Sequence, residues 1–251
     1  MAGHDARAYG RPVGDVGVRG YRETDRAAVR RICFETGYMG DPVAWQWADR
    51  ESFADLFTGW YTDHEPESAL AAEVDGEVVG YLLGCRDSRR MTTAGRTVAR
   101  HLVRRGLLAR PGTAPVVWRS AADLARAGWQ GKVSPTTEVD ERWPAHLHID
   151  LLPQARSQGL GRALITRCLE DLAAADVPGC HVDTWAENDG AVAFFRHMGF
   201  TTRGSPAPML GLRSPDGHRH HTQRMVHSLR RPLARTSATR GEAPAPPTDE
   251  G

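Results

Sequence analysis

The chain has 251 residues, 40% hydrophobic and 25% charged, which is too long for a minimal module, too short for two ordinary enzymes, and apolar enough to bury a sizeable core. A multidomain machine and wholesale disorder are both excluded. With 32 Lys plus Arg against 31 Asp plus Glu the formal net charge is +1, so no global field favours nucleic acid or an anionic membrane as partner.

Residues 1–15 and 231–251 lack hydrophobic periodicity and are rich in Gly, Arg, Pro and charge; both are expected to be disordered tails around a single domain over 16–230. Val16 to Arg22 alternates as a strand. Thr24 and Asp25 then read as a cap before a helix carrying Ala28, Val29, Ile32 and Cys33. The segment Cys33 to Pro42 reads as a turn-rich connection, and Trp45 to Trp60 as a second amphipathic helix. Ala69 to Val74 and Val78 to Cys85 flank Asp75-Gly76, a dipeptide that supplies the positive φ angles of a tight hairpin. Residues 86–143 read as a helical insertion, with helical spacing from Val98 to Leu108 and a second patch from Val116 to Leu124. Its eight arginines between Arg86 and Arg110 lack interleaved aromatics and read as a solvated helix face rather than a nucleic-acid surface.

After Pro144 a strand (Ala145 to Leu152), a helix (Gly159 to Ala175), a strand (Cys180 to Thr184) and a helix (Asn188 to Met198) follow in series, the pattern of an α/β core. Three closing strands are expected at Phe200 to Arg203, Pro208 to Leu212 and Thr222 to Leu229, with a turn at Ser214 to Gly217. Lys132 is the only lysine, so arginine carries the basic charge along the whole chain. Cys33, Cys85, Cys168 and Cys180 stand far apart with no C-x-x-C pair, a pattern of buried reduced thiols; no metal is expected. The first thirty residues hold no apolar signal region and no stretch reaches the ~18 apolar residues of a membrane span, so a cytoplasmic protein with no membrane partner is expected.

A strand ends at Leu152-Pro153, and Gly159 and Gly161 open a helix whose apolar face carries Leu160, Leu164, Ile165, Cys168, Leu169 and Leu172. Each glycine costs up to ~1 kcal/mol relative to alanine inside a helix, so two in the first turn call for a reason. Free N–H groups and the helix dipole would let Gln158, Gly159, Gly161 and Arg162 cradle a pyrophosphate. A plain helix start is the alternative. A Walker loop and a Rossmann fingerprint are excluded by spacing, for neither Gly-Lys-Ser/Thr nor G-x-G-x-x-G is present here.

Arg156-Ser157-Gln158-Gly159-Leu160-Gly161 resembles the Arg/Gln-x-x-Gly-x-Gly/Ala motif of the GNAT superfamily of N-acetyltransferases, and Asn188 followed by Ala191, Phe194, Phe195, Gly199 and Phe200 resembles its next element. The resemblance covers Ala145 to Phe200 and, more loosely, Val16 to Cys85. It implies a central mixed, mostly antiparallel, splayed β-sheet flanked by helices, with the helical insertion between strands 3 and 4. It also implies acetyl coenzyme A as cosubstrate in the gap between the fourth and fifth strands. By that resemblance Leu151 and Leu152 would hydrogen-bond the pantetheine through their backbone, and Arg156, Ser157, Gln158, Gly159, Leu160, Gly161 and Arg162 would bind the pyrophosphate. Asn188, Phe194 and Phe195 would contact the rest of the cofactor. For Phe194, Phe195 and Met198 a core stripe at helical spacing is the other reading. The insertion and the HLHID string further resemble bacterial relatives of the acetyltransferase-like domain of O-GlcNAcase.

Acetyl transfer to an amine needs a base for the amine proton and donors for the thioester oxygen. A strand period of two puts His146, His148 and Asp150 on one face of HLHID and Leu147, Ile149 and Leu151 on the other. His148 or Asp150 is the expected base; a polar sheet surface under the insertion is the alternative. Ala-His-Leu-His also resembles the paired-histidine strand of serotonin N-acetyltransferase, one residue closer to the glycine turn. Where many family members have Tyr in the aromatic pair, this chain has Phe195, which holds no proton for the departing thiolate; Tyr38, Tyr81 or Cys180 as the acid, unassisted departure, and slow turnover are the open alternatives. Glu35, Asp41 and Trp185 are candidates for gripping a cationic acceptor, with scattered core aromatics and surface acids as the alternative. The expected activity is acetyl transfer to a primary amine of a small molecule or peptide by a monomer or homodimer. A catalytically weak coenzyme A binding module is the alternative.

Overall fold

A computed structural model describes residues 15–91, 94–131 and 140–229; the expected tails (apart from Asp15), residues 92–93 and 132–139 of the expected insertion, and residue 230 lie outside them. In chain order the elements are β1 (Val16–Gly20), α1 (Arg26–Thr36), α2 (Arg50–Ala54), α3 (Trp60–His64), β2 (Ala69–Val74), β3 (Glu77–Cys85), α4 (Ala94–Arg104), α5 (Ala114–Trp129), β4 (Ala145–Leu151), α6 (Leu160–Ala174), β5 (Gly179–Trp185), α7 (Asp189–His197), β6 (Thr201–Arg213) and β7 (Arg219–Ser228). The strands form one sheet in the order β1-β2-β3-β4-β5-β7-β6, antiparallel at every junction but β4–β5. Among the described residues no helix is long and apolar enough to cross a membrane.

The β4–β5 junction positions the site. Parallel pairing there stops after two rungs, Ala145↔Cys180 and His146↔His181, whereas β4 stays paired with β3 out to Leu151↔Gly80 and β5 with β7 out to Trp185↔Thr222. The two strands therefore diverge toward their C-terminal ends and leave a wedge. Helix α6 packs against β1 to β4 on one face and α1 against β3 and β4, so a core of Ile32, Tyr81, Leu82, Leu83, Leu147, Leu164, Ile165 and Met225 is almost wholly buried. The four cysteines belong to the same buried set and are unpaired.

Several expectations shift. Helix α1 runs on through Thr36, past the expected connection at Cys33, and Asp25 does not cap it by side chain: its carboxylate accepts from the Arg22 N–H and pairs with Arg19 instead. The second helix starts at Arg50, not Trp45, because Asp49 caps it by accepting from the Ser52 N–H at 2.8 Å. The expected closing strands at Phe200 to Arg203 and Pro208 to Leu212 are one element, β6, bulged between Arg203 and Ala207, where Pro206 cannot donate to the ladder. Helix α4 ends at Arg104, so Leu107 and Leu108 lie in the following turn.

The insertion is helical, and its arginines do more than face solvent. Arg105 and Arg110 converge on Asp49, whose side chain is 1% exposed, and Arg86 and Arg90 on the equally buried Glu65. Arg89 pairs with Asp87, and Arg100 and His101 approach Asp55. A buried carboxylate without a partner is costly, so these pairs fix where the insertion lies on the α2–α3 segment.

Candidate active site

At the wedge, β4 ends in a turn that reverses into α6. Ser157 and Gly159 hold φ of 62° and 81°, the left-handed region that favours glycine. None of the N–H groups of residues 157–162 donates to a protein acceptor among the described residues; the first helical bond runs from the Ala163 N–H to the Gly159 carbonyl. Six consecutive donors at a helix start form an anion cradle, and a pyrophosphate fits it. The two glycines serve different ends. A Cβ at Gly159 would meet nothing within 4 Å, so its need is the backbone angle, whereas a Cβ at Gly161 would stand 3.2 Å from Leu151 and 3.3 Å from Phe194. Close packing, rather than ligand approach, explains the second.

The other expected cofactor residues are placed unevenly. The Leu152 N–H donates to the Val79 carbonyl and so points away from the wedge; Leu151, one residue back on the strand, turns its peptide group the other way. The Arg156 guanidinium donates to the carbonyls of Leu151 and Gly40, at 3.2 and 2.7 Å, tying the 38–41 turn to the end of β4. Gln158 donates to the Gln154 carbonyl. Asn188 caps α7 by accepting from the Ala191 N–H. Phe194 is half-buried against Gly161, but Phe195 is a core side chain packed on Phe194 and Phe200, so its buried ring follows the core reading rather than the expected cofactor contact.

On the opposite face of β4, His146, His148 and Asp150 do align. Asp150 accepts from the Tyr81 hydroxyl at 2.6 Å, and His148 Nε2 lies 3.3 Å from the same carboxylate. His148 Nδ1 donates to the Phe57 carbonyl at 3.1 Å. That carbonyl belongs to Asp55–Gly59, a π-helical turn between α2 and α3, a distortion that frees carbonyls from the ordinary helical ladder and recurs at functional sites. Burial pushes the His148 pKa down, but Asp150 and the Phe57 carbonyl outweigh it and the pKa is raised. Burial holds the Tyr81 hydroxyl well above its usual range, so it stays a proton donor to Asp150. One helical turn on, Tyr61 meets His146 Nδ1 at 2.6 Å. Burial and the neighbouring His181 push His146 down to about 3, so it is neutral at physiological pH.

Across the wedge mouth, Tyr38 makes edge-to-face contacts with Trp45, Trp185 and His220 at 5.0, 5.6 and 5.6 Å, and its hydroxyl meets His220 Nε2 at 3.1 Å. Asp41 is exposed in the same turn, bridged to Tyr38. Glu35 is placed elsewhere: it pairs with Arg31 at 3.0 Å and Arg50 at 3.8 Å, so its charge is answered within the protein. Tyr61, Phe57 and His220 are the site residues that sequence reasoning missed, and Tyr81, a candidate acid by sequence, instead donates to Asp150. Tyr81 and Asp150 share a rung of the β3–β4 ladder, and such pairing across 69 residues leaves no local signal.

A splayed α/β sheet with an anion cradle at the head of a helix, and acid–base side chains on the opposite face of the same strand, is an arrangement that can hold a phosphate-bearing cosubstrate beside a proton acceptor. Residues 120–200 match the model of the acetyltransferase (GNAT) family. The crystal structure of SsHAT superimposes with a TM-score of 0.63 at 28% identity, covering 86% of this chain and 99% of that one. yncA of Salmonella typhimurium, solved with its cofactor acetyl-CoA, gives 0.52 at 16% over 87% and 96%. A polyamine N-acetyltransferase of Drosophila melanogaster that forms N-acetylagmatine gives 0.51 at 13% identity over 85% and 100%. Residues 120–200 thus match a GNAT acetyltransferase domain, and the fold of the chain is shared with these structures.

Proposed function

We propose that the acceptor is a primary amine of a small molecule or peptide, which attacks directly in a ternary complex with His148 and Asp150 taking up its proton. The observation that carries this reading is the Tyr81–Asp150–His148 array at the end of β4, one residue from the Leu151 peptide that faces the wedge. The cosubstrate supplies the activated acyl carbon and carries away the thiolate. The cradle of residues 157–162 holds its phosphates, and the wedge aligns the pantetheine beside Leu151. As the amine nitrogen bonds to the acyl carbon and the carbon–sulfur bond breaks, the amine proton passes to the His148–Asp150 pair, which acts as one coupled unit. Tyr81 steadies the carboxylate. Phe195 has no proton to give, so solvent protonates the thiolate. The acceptor enters past Tyr38, Asp41 and Trp185, where an exposed carboxylate beside aromatic faces suits a cation; Glu35 takes no part.

The test is thiol release with a panel of amines. Asp150→Asn and His148→Ala should each lower kcat about 10²-fold or more, the usual contribution of a positioned base, while acetyl coenzyme A affinity by calorimetry stays within about twofold. Tyr81→Phe should lower kcat severalfold. Full turnover in both Asp150→Asn and His148→Ala would remove the pair from the mechanism.

A further inference from the structure

A third group of side chains lies at the closed end of the wedge. His146 on β4 and His181 on β5 face each other across one of the only two rungs that join these strands, their ring centroids 5.0 Å apart. Asp183, two residues along β5, projects from the same face. One ligand atom from each of the three lies within 4.8 Å of the others.

We propose that His146, His181 and Asp183 bind a divalent transition-metal ion of the zinc class, which staples β4 to β5 at the base of the splay. Two imidazoles and a carboxylate form a donor set typical of zinc with an open fourth position for water. The surrounding bonds orient these donors as metal sites require. His181 Nδ1 donates to the Trp143 carbonyl at 2.9 Å, which leaves the lone pair on Nε2, and His146 Nδ1 is engaged by the Tyr61 hydroxyl at 2.6 Å; an imidazole held through one nitrogen and offered through the other is the usual arrangement around a bound metal. Arg224 binds Asp183 through one N–H to each oxygen, at 2.9 and 2.8 Å, and a carboxylate oxygen has a second lone pair for a cation. With only two backbone rungs at this junction, a bond across it would set the angle at which the wedge opens. The inference is independent of the acetyl-transfer reading.

The experiment uses untagged full-length protein, stripped with chelator and titrated with Zn²⁺ by calorimetry and with Co²⁺ by visible absorption. One Zn²⁺ per chain, a Co²⁺ spectrum of low coordination number, and a melting temperature that rises with added Zn²⁺ are expected. Affinity should fall at least tenfold in His146→Gln and in Asp183→Asn, and should be unchanged in a His218→Ala, His221→Ala double variant that disables the separate histidine-rich 218–221 segment. The proposal is overturned if wild-type protein binds no Zn²⁺, if binding survives intact in both site variants, or if it disappears in the control variant. Should the site variants fail to fold, anomalous scattering from a Zn²⁺-soaked wild-type crystal decides: density between the three side chains supports the site, and density elsewhere or none refutes it.

Discussion

Gly159 shows how much one residue can fix. Its φ of 81° and the open space at its Cα mean that only backbone freedom, not room, makes it glycine. Gly159→Val would force a β-branched residue into a left-handed angle at a cost of about 1–2 kcal/mol and turn the cradle's N–H groups off their common focus. Acetyl coenzyme A affinity should fall at least tenfold by calorimetry while far-UV circular dichroism stays native; unchanged affinity would dissociate the cradle from the cofactor. The glycine pair was legible in the sequence because backbone conformation is a local property. The distinct role of Gly161 was not, because its neighbours Leu151 and Phe194 arrive from ten residues before and thirty-three after.

At the scale of elements, the α2–α3 segment organises one face of the molecule. Its residues Phe57 and Tyr61 stand beside His148 and His146, because four helical residues and two strand residues both advance about 6 Å. The segment is held in turn by the insertion, through Arg105 and Arg110 on Asp49. Burial opposes ionisation of Asp49, but Arg105 and the Ser52 N–H prevail and its pKa falls to about 2. A carboxyl whose folded-state pKa lies below the unfolded value of about 3.9 stabilises the protein fully above that value and loses its contribution as pH falls toward the folded one. Asp49→Asn should therefore cost about 3 kcal/mol in urea unfolding at pH 6, and the gap to wild type should narrow between pH 4 and pH 2. A gap constant with pH would place the cost in the helix cap instead. The sequence marks these arginines but not their partners, which lie 56 and 61 residues away.

For the molecule as a whole, the four cysteines offer a test of the packing. All are buried and unpaired, and burial pushes the thiols of Cys33, Cys85, Cys168 and Cys180 up. A thiol-reactive chromophore at pH 8 should titrate none of the described cysteines in the native protein and all four in urea; rapid reaction of one in the native state would expose an opening of the core. Local periodicity and turn chemistry sufficed to lay out most of this molecule: the Asp75-Gly76 hairpin, the two β-α units after Pro144, and the alternation that sets His146, His148 and Asp150 on one face. Such features depend on neighbours within one or two turns of the chain. The tertiary structure alone decided what those residues meet. Tyr81 reached Asp150 through strand register, Phe57 reached His148 through a π-turn with no sequence signature, Phe195 turned into the core, and His181 and Asp183 came beside His146 where two strands begin to part. Side-chain chemistry is written residue by residue, but a site is made by contacts between segments far apart in sequence, and those are set by how the whole sheet packs.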